Sequence, residues 1–367
     1  MKLHVFNPEH DIALAANQNR FTAPHAGRQM RSDLGFLPAL WADNGDIVLV
    51  DDVEAAVESV SHIKKFAKDV VFVTADDLRG VSAMLPDDFE INPWGWDRTL
   101  KEQLLRADGA LADFVPTDDE LSIIRGMSSR QFAAERVLPL LNSGRGVVGE
   151  SRYCSSIDEA EAAIAEYGHS VVKSLWSSSG RGVRYVRMAS ADSHILGWMR
   201  NVVRQQGGLT VEPLYQKVLD FGMEFMACCD GEIKKCGISL FATRCGAYTG
   251  SMCATETDKR GMLSRYVDLD LLDNICKQIS LIMGKEMAGV YSGPFGVDMM
   301  AVANEGGDGF LLHPCVEINL RRTMGHVALA LTPTEFEPRR IMNVYYADKY
   351  RIRIQNTTEN LLNTGLC

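Results

Sequence analysis

GPFGVDMMAVANEGGDGFLLHPCVEINLRR, residues 293–322, is the stretch on which the reading of this 367-residue chain turns. Two β-rich runs, GPFGVDMMAVA and FLLHPCVEINL, flank the turn-rich NEGGDG, which predicts two antiparallel strands joined by a hairpin. Asp298 lies in the first run; Glu317 and Asn319 lie in the second. Residues two apart in a strand share a face, so Glu317 and Asn319 point the same way. Asp298 sits between Val297 and Met299, and Glu317 between Val316 and Ile318. Inward-facing acids without a metal or a basic partner are costly. Two carboxylates and an amide oxygen on one face suit Mg²⁺, a hard cation that also takes phosphate oxygens. The same acids on the solvated face of a sheet would need no ligand, and the segment alone leaves both readings open. Arg321 and Arg322 follow directly. Arginine pairs bidentately with phosphate or carboxylate, and surface charge at a strand end is the alternative for at least one of them.

Upstream, VVKSLWSSSGRGV (171–183) places Lys173 on a predicted strand just before a Ser/Gly loop. Glycines and serines let backbone N–H groups approach an anion, and the lysine adds a point charge for phosphate. The spacing is not GxxxxGK[ST], so this is no Walker loop. An ordinary flexible hairpin with a surface lysine is the plainer alternative. His313 and His326 flank the acidic strand, as assisting groups or as hydrogen-bonded structural histidines.

The first third alternates strands and helices. LHVF (3–6), DIVLV (46–50) and VVFVT (70–74) read as strands, with helices over 28–42 and 53–66. NPWGWD (92–97) reads as a loop or helix start, followed by a helix to Arg106. This is the pattern of a parallel sheet covered on both faces. Helices are predicted over 118–125 and 129–141. SSIDEAEAAIAEYG (155–168) carries helix start and stop signals. Strands at 170–176 and 183–187 complete a small α+β unit around the loop 177–182. VEPLYQ, FGMEFMACC and IKKCGISLF then suggest an antiparallel meander with a turn at Asp230-Gly231. A long helix is predicted over 269–287.

Lys plus Arg total 38 and Asp plus Glu total 48, a formal charge of −10. That balance argues against a nucleic-acid coat or an anionic-membrane binder. No apolar run reaches the roughly 18 residues of a membrane helix. The N-terminus becomes charged by Glu9, too early for a signal peptide. Nine cysteines with no CxxC pair read as reduced thiols in a cytoplasmic protein.

Taken in order, Lys173 with its loop, VEPLY (211–215), FGMEF (221–225), Asp298 and the run Glu317-Ile-Asn319-Leu-Arg321 resemble the ATP-grasp superfamily. The resemblance covers about 126–330, and the first 120 residues look like the pre-ATP-grasp domain that precedes this module. It implies an N-terminal parallel α/β domain, then a module with a small lid and a C-terminal antiparallel sheet. The expected division is 1–125, 126–210 and 211–350, with a tail at 351–367. Lys173 is similar to the lysine that meets the α- and β-phosphates. Ser177 to Gly182, with Ser178, Ser179, Gly180 and Gly182, resemble the mobile loop over the phosphates. Glu212, Pro213, Leu214 and Tyr215 resemble the hinge at adenine. Asp220 is matched loosely to a ribose ligand, and Glu224 to an acid on the pocket floor. Asp298, Glu317 and Asn319 resemble the Mg²⁺ ligands, and Arg321 the arginine facing the transferring phosphoryl group. Arg130, in SSRQFAAERVLPLL, stands where the superfamily usually has a lysine.

The resemblance implies ATP with one or two Mg²⁺ ions, Mn²⁺ being a possible substitute. The expected reaction is ADP-forming ligation of a carboxylate to an amine or thiol through an acyl phosphate. A small-molecule kinase and a non-catalytic nucleotide-binding protein are the alternatives. Relatives are often homodimers. The N-terminal domain is expected to hold the substrate, with His10, Asp11, His25, Arg28 and Arg31 in or after its loops. Trp94 and Trp96 line a pocket or pack in the core. Arg244, in TRCGAYTGS (243–251), is a candidate at the reaction centre.

Overall fold

Among the described residues, ten strands form from the runs that the sequence predicts; those over 90–93, 152–154, 247–253, 340–346 and 350–356 are additional, and the first of them takes in Asn92 and Pro93 of the run read as a loop or helix start. In chain order the first eight are β1 (Lys2–Val5), β2 (Ile47–Leu49), β3 (Val71–Val73), β4 (Glu90–Pro93), β5 (Arg152–Cys154), β6 (Ser170–Ser174), β7 (Val183–Val186) and β8 (Leu209–Pro213). The others are β9 (Lys217–Ala227), β10 (Ile233–Arg244), β11 (Ala247–Cys253), β12 (Gly293–Ala303), β13 (Phe310–Asn319), β14 (Arg340–Tyr346) and β15 (Tyr350–Asn356). The structure is a computed structural model that describes residues 1–79, 86, 88–141, 144–177, 180–244 and 247–358. Two compact units interleave along the chain, unlike the contiguous division expected. The first combines Met1–Ile124, Thr249–Thr255 and the chain from Arg321 through β15. The second combines Arg125–Tyr248 with Glu256–Leu320.

The first unit holds a parallel sheet ordered β3-β2-β1-β4. One face packs Leu3, Val5 and Ile91 against Leu100 and Leu104 of helix Arg98–Ala107. Asp97 caps that helix by accepting from Leu100 N. The other face packs Val48 and Val50 against Leu34, Leu37 and Leu40, and the same cluster takes in Cys253, Val327, Leu331 and Met342. The helix expected over 28–42 is two elements, His25–Leu34 and a 3₁₀ turn Leu37–Leu40. Pro38, which lacks an N–H, lies at the break, and Gly35, a weak helix former, is the C-cap of the first element. The next helix, expected to reach 66, ends at Ser61. β11 and β14 pair antiparallel, as do β14 and β15. The start of the expected tail is therefore a strand. Trp94 is buried edge-on to Phe6 at 5.0 Å, the core role of the two considered.

In the second unit, β5-β8-β6-β7 form an antiparallel sheet. Helices Ile157–Tyr167 and Ser193–Gln206 cover it through Ala160, Ala163, Ile164, Met199 and Val202. VEPLYQ thus corrects the meander reading: its strand, β8, lies between β5 and β6 and not beside β9. The true antiparallel set is β13-β12-β9-β10. Its alternation is regular. Phe221, Met223 and Phe225 of β9 and Phe295, Val297 and Met299 of β12 fill one face. Helix Leu269–Met287 packs against β9 and β10 and buries Leu272, Ile275, Ile279, Met283 and Met287. The opposite face carries Gly222, Glu224, Gly296 and Asp298. The fold class is the expected one: a parallel α/β domain, a small α+β sheet and an antiparallel sheet.

Phe225 and Phe295 are cross-strand partners whose rings stack at 5.0 Å. Phe225→Ala should lower unfolding stability by about 3–5 kcal/mol, read from the shift in a urea transition.

Candidate functional site

Arg130 opens the chain segment that organises the second unit's polar face. Ser129 caps the helical turn by accepting from Phe132 N, and Arg130 N donates to Leu175 O at 3.1 Å. The Arg130 side chain is 6% exposed. Its Nη1 donates to Ser174 O at 2.6 Å and Ser177 Oγ at 2.9 Å, and its Nη2 donates to Glu317 Oε1 at 2.7 Å. One guanidinium therefore joins the end of β6, the start of the Ser/Gly loop and the acid of β13. A π-turn at Ala133–Val137 follows, next to Pro139, which lacks a donor.

The three expected metal ligands share one sheet face. Asp298 pairs directly opposite Glu317, and Asn319 opposite Gly296. Asn319 Nδ2 donates to Asp298 Oδ2 at 3.1 Å. The pairing of β12 with β13 shifts between Asp298 and Met300, where β13 contains Pro314. Proline cannot donate to a ladder, and a bulge at an edge strand accommodates it. Gly222 sits opposite Asp298 on β9. A Cβ there would lie 2.9 Å from Ser239 Oγ and 3.2 Å from Glu224 Oε1. Glycine at 222 is what lets Glu224 and Asp298 share this face. The oxygen-only donor set of Asp298, Glu317 and Asn319 fits Mg²⁺.

Lys173 and Glu212 come from neighbouring strands and meet on one face, diagonally across β6 and β8. Lys173 Nζ lies 2.6 Å from Glu212 Oε2, both side chains being at most 10% exposed. Glu212 Oε1 accepts from Ser151 Oγ at 3.2 Å. The two residues matched separately to phosphate and adenine are thus an ion pair. Gly182 packs its backbone against Ser174, whose N–H donates to Gly182 O at 2.8 Å; a Cβ at 182 would lie 2.0 Å from Ser174 Oγ. Gly180 has φ +71°, the left-handed region glycine favours. Ser178 and Ser179 lie outside the described residues, as does the side chain of Arg244.

Beyond β8, Leu214 N donates to His169 O, and Tyr215 meets His313 edge-on at 5.7 Å. Burial pushes the Tyr215 hydroxyl and the Cys315 thiol up from their ordinary values. Asp220, the loosely matched ribose ligand, pairs with Lys217 and accepts from Thr243 Oγ1.

The first unit gathers a second polar group. Asp97 Oδ2 accepts from Asn7 Nδ2 at 3.1 Å and stands 3.1 Å from His10 Nδ1. Gly95 permits this, since a Cβ there would lie 2.6 Å from the His10 ring. Arg321 belongs to this unit, where Nε and Nη2 donate to the two oxygens of Asp11, each at 2.8 Å. His326 completes a capping box with Thr323, so it is the structural histidine of the pair considered. Sequence reasoning missed Ser129, Ser151, Ser174, Asn7 and Asp97. Ser129 and Asp97 carry a readable signal, a capping residue immediately before a helix; the other three do not.

No family model matches the chain, and no curated protein matches it. Solved structures do. N5-carboxyaminoimidazole synthetase from Staphylococcus aureus complexed with ADP is 11% identical, covering 94% of this chain and 82% of that one, with a TM-score of 0.48. Biotin carboxylase from Campylobacter jejuni, as a β,γ-ATP complex, is 11% identical over 94% and 75%, also at 0.48. The biotin carboxylase domain of Hydrogenobacter thermophilus 2-oxoglutarate carboxylase, with MgADP and bicarbonate, is 14% identical over 94% and 74%, again at 0.48.

His313 supplies a pH test. Its ring is buried, with neither nitrogen hydrogen-bonded among the described residues. Burial, reinforced by the Lys173 charge, lowers it from 6.5 to about 3. The folded state therefore binds fewer protons than the unfolded chain below pH 6.5, and the stability due to this group declines as pH falls from 6.5 toward 3. His313→Phe should flatten that decline, measured as urea midpoints across the same pH range.

Proposed function

We propose that this chain is an ATP- and Mg²⁺-dependent ligase of the ATP-grasp type, which joins a carboxylate to an amine or thiol and releases ADP and phosphate. The observation that carries the reading is Arg130, which holds Glu317, Ser174 and Ser177 together on the face that also bears Asp298 and Asn319. Nucleotide chemistry needs such a junction of cation, acid and Ser/Gly loop, because phosphoryl transfer is mainly positioning and charge stabilisation. The ligase half of the reading rests on the order of motifs from Lys173 to Arg321.

Asp298, Glu317 and Asn319 are the residues that would hold Mg²⁺, which when bound neutralises charge on the ATP phosphates. Arg130 and Lys173 are the cations for phosphate oxygens, and each is kept in place meanwhile by a carboxylate, Glu317 or Glu212. Arginine at 130 offers a fork that spans two acceptors, where a lysine would offer a point charge. Gly180 and Gly182 let the loop backbone approach phosphate closely. The substrate carboxylate attacks the γ-phosphorus, the bond to the bridging oxygen breaks and ADP leaves, giving an acyl phosphate; the amine or thiol then attacks the acyl carbon, loses its proton and displaces phosphate. Arg321, matched by motif order to the arginine that faces the transferring group, is held by Asp11 within the first unit.

The test is ADP release from purified protein with MgATP and pooled carboxylates, amines and thiols. Glu317→Gln should cut Mg²⁺-dependent release by about 100-fold or more; it also lowers the thermal transition, because Arg130 loses its charged partner, so release is compared at a temperature where circular dichroism shows both proteins folded. Wild-type release by that variant would remove Glu317 from the site. A stable phosphorylated product formed without a second substrate would replace ligase with kinase. Nucleotide binding with no turnover in any pool would leave a binding protein. Arg130→Lys, which keeps charge but loses the fork, should weaken ATP binding about 10-fold by calorimetry.

A further inference from the structure

Within the first unit, a cleft of about 780 Å³ opens beyond the carboxyl ends of β1, β2 and β3, where Glu9, Asp51 and Asp76 line it. Open parallel sheets take their ligands at this end, and the size is that of a small-molecule site. Four arginines, Arg28, Arg31, Arg79 and Arg106, line the same cleft in a chain of formal charge −10.

Helix His25–Leu34 forms one wall and carries His25, Arg28 and Arg31 at three-residue spacing. Its first turn contains no acid. Arg31 is 18% exposed and held at one end only: Nη1 donates to Glu9 Oε1 and to Gln103 Oε1, each at 2.9 Å. Among the described residues its Nε and Nη2 have no acceptor, so half of an anchored fork is turned to other use. Arg28, one turn earlier, has no acidic partner among the described residues. Like charges three apart on a helix repel, and a shared anion removes that penalty. Arginine forks favour phosphate and carboxylate.

We propose that this cleft seats an anionic small-molecule substrate, gripped through a phosphate or carboxylate group by Arg28 and Arg31. The inference deepens the proposed function, since it rests on a small-molecule substrate binding in this chain. Asp51, at the end of β2, is placed to accept from a hydroxyl or amine on the same molecule.

The test titrates the full chain by calorimetry with inorganic phosphate, ribose 5-phosphate and glutarate at low salt, and with MgATP in parallel. Wild type is expected to bind at least one of the three anions. Arg28→Ala and Arg31→Gln should each weaken that binding about 10-fold. A preference for the phosphates identifies a phosphorylated substrate, and a preference for glutarate a polycarboxylate. Arg28→Ala is the safer variant, because its side chain is exposed and supports no ion pair among the described residues. No binding of any anion by wild type, or unchanged binding in both variants, overturns the cleft. Loss of anion binding only in Lys173→Ala also overturns it, moving the anion to the second unit and leaving the ligase reading intact. Anion binding that depends on Arg28, with MgATP neither bound nor turned over, upholds the cleft and removes the ligase reading instead.

Discussion

A guanidinium that is 6% exposed needs acceptors for its donors, and the two terminal nitrogens of Arg130 find them at Ser174, Ser177 and Glu317, while Nε has none among the described residues. That requirement ties the second unit together. Removing a buried cation's partners costs several kcal/mol, so the end of β6, the loop beginning at Ser177 and the acid of β13 are held to one arrangement. The same contacts keep Glu317 on the face that presents Asp298 and Asn319. The bonds that give stability here are the same ones on which the proposed phosphate chemistry rests.

The polar face is possible because the other face is so thoroughly apolar. β9 alternates over 221–225 and β12 over 295–299, and helix Leu269–Met287 packs against β9 and β10. Glu224 and Asp298 can then share the far side, with Gly222 making room between them. A side chain at 222 would move Ser239 or Glu224, and the spacing of acids would change with it.

Much of this was legible in the residues. The hairpin over 293–319, the helix over 269–287 and the shared face of Glu317 and Asn319 follow from apolar periodicity and turn composition, while Asp298 facing Glu317 depends on the register that the shift beyond Asp298 sets. Other features were not. VEPLYQ has strand chemistry, but nothing in its composition says which sheet receives it, because pairing partners are set by tertiary context. The Lys173–Glu212 pair was hidden for the same reason, since it depends on β8 lying beside β6. The anchoring of Arg31 by Glu9 and Gln103 spans 22 and 72 residues and has no local signature.

The hydrophobic cluster on one face of the parallel sheet draws Phe6, Leu34 and Val48 from the start of the chain, Cys253 from far beyond, and Val327, Leu331 and Met342 from near its end. During synthesis, the ribosome delivers these residues many seconds apart. The amino-terminal strands must therefore wait, partly uncovered, until residue 342 has emerged. A fragment ending near residue 125 would lack part of its own interior, and so would one that stops short of residue 342.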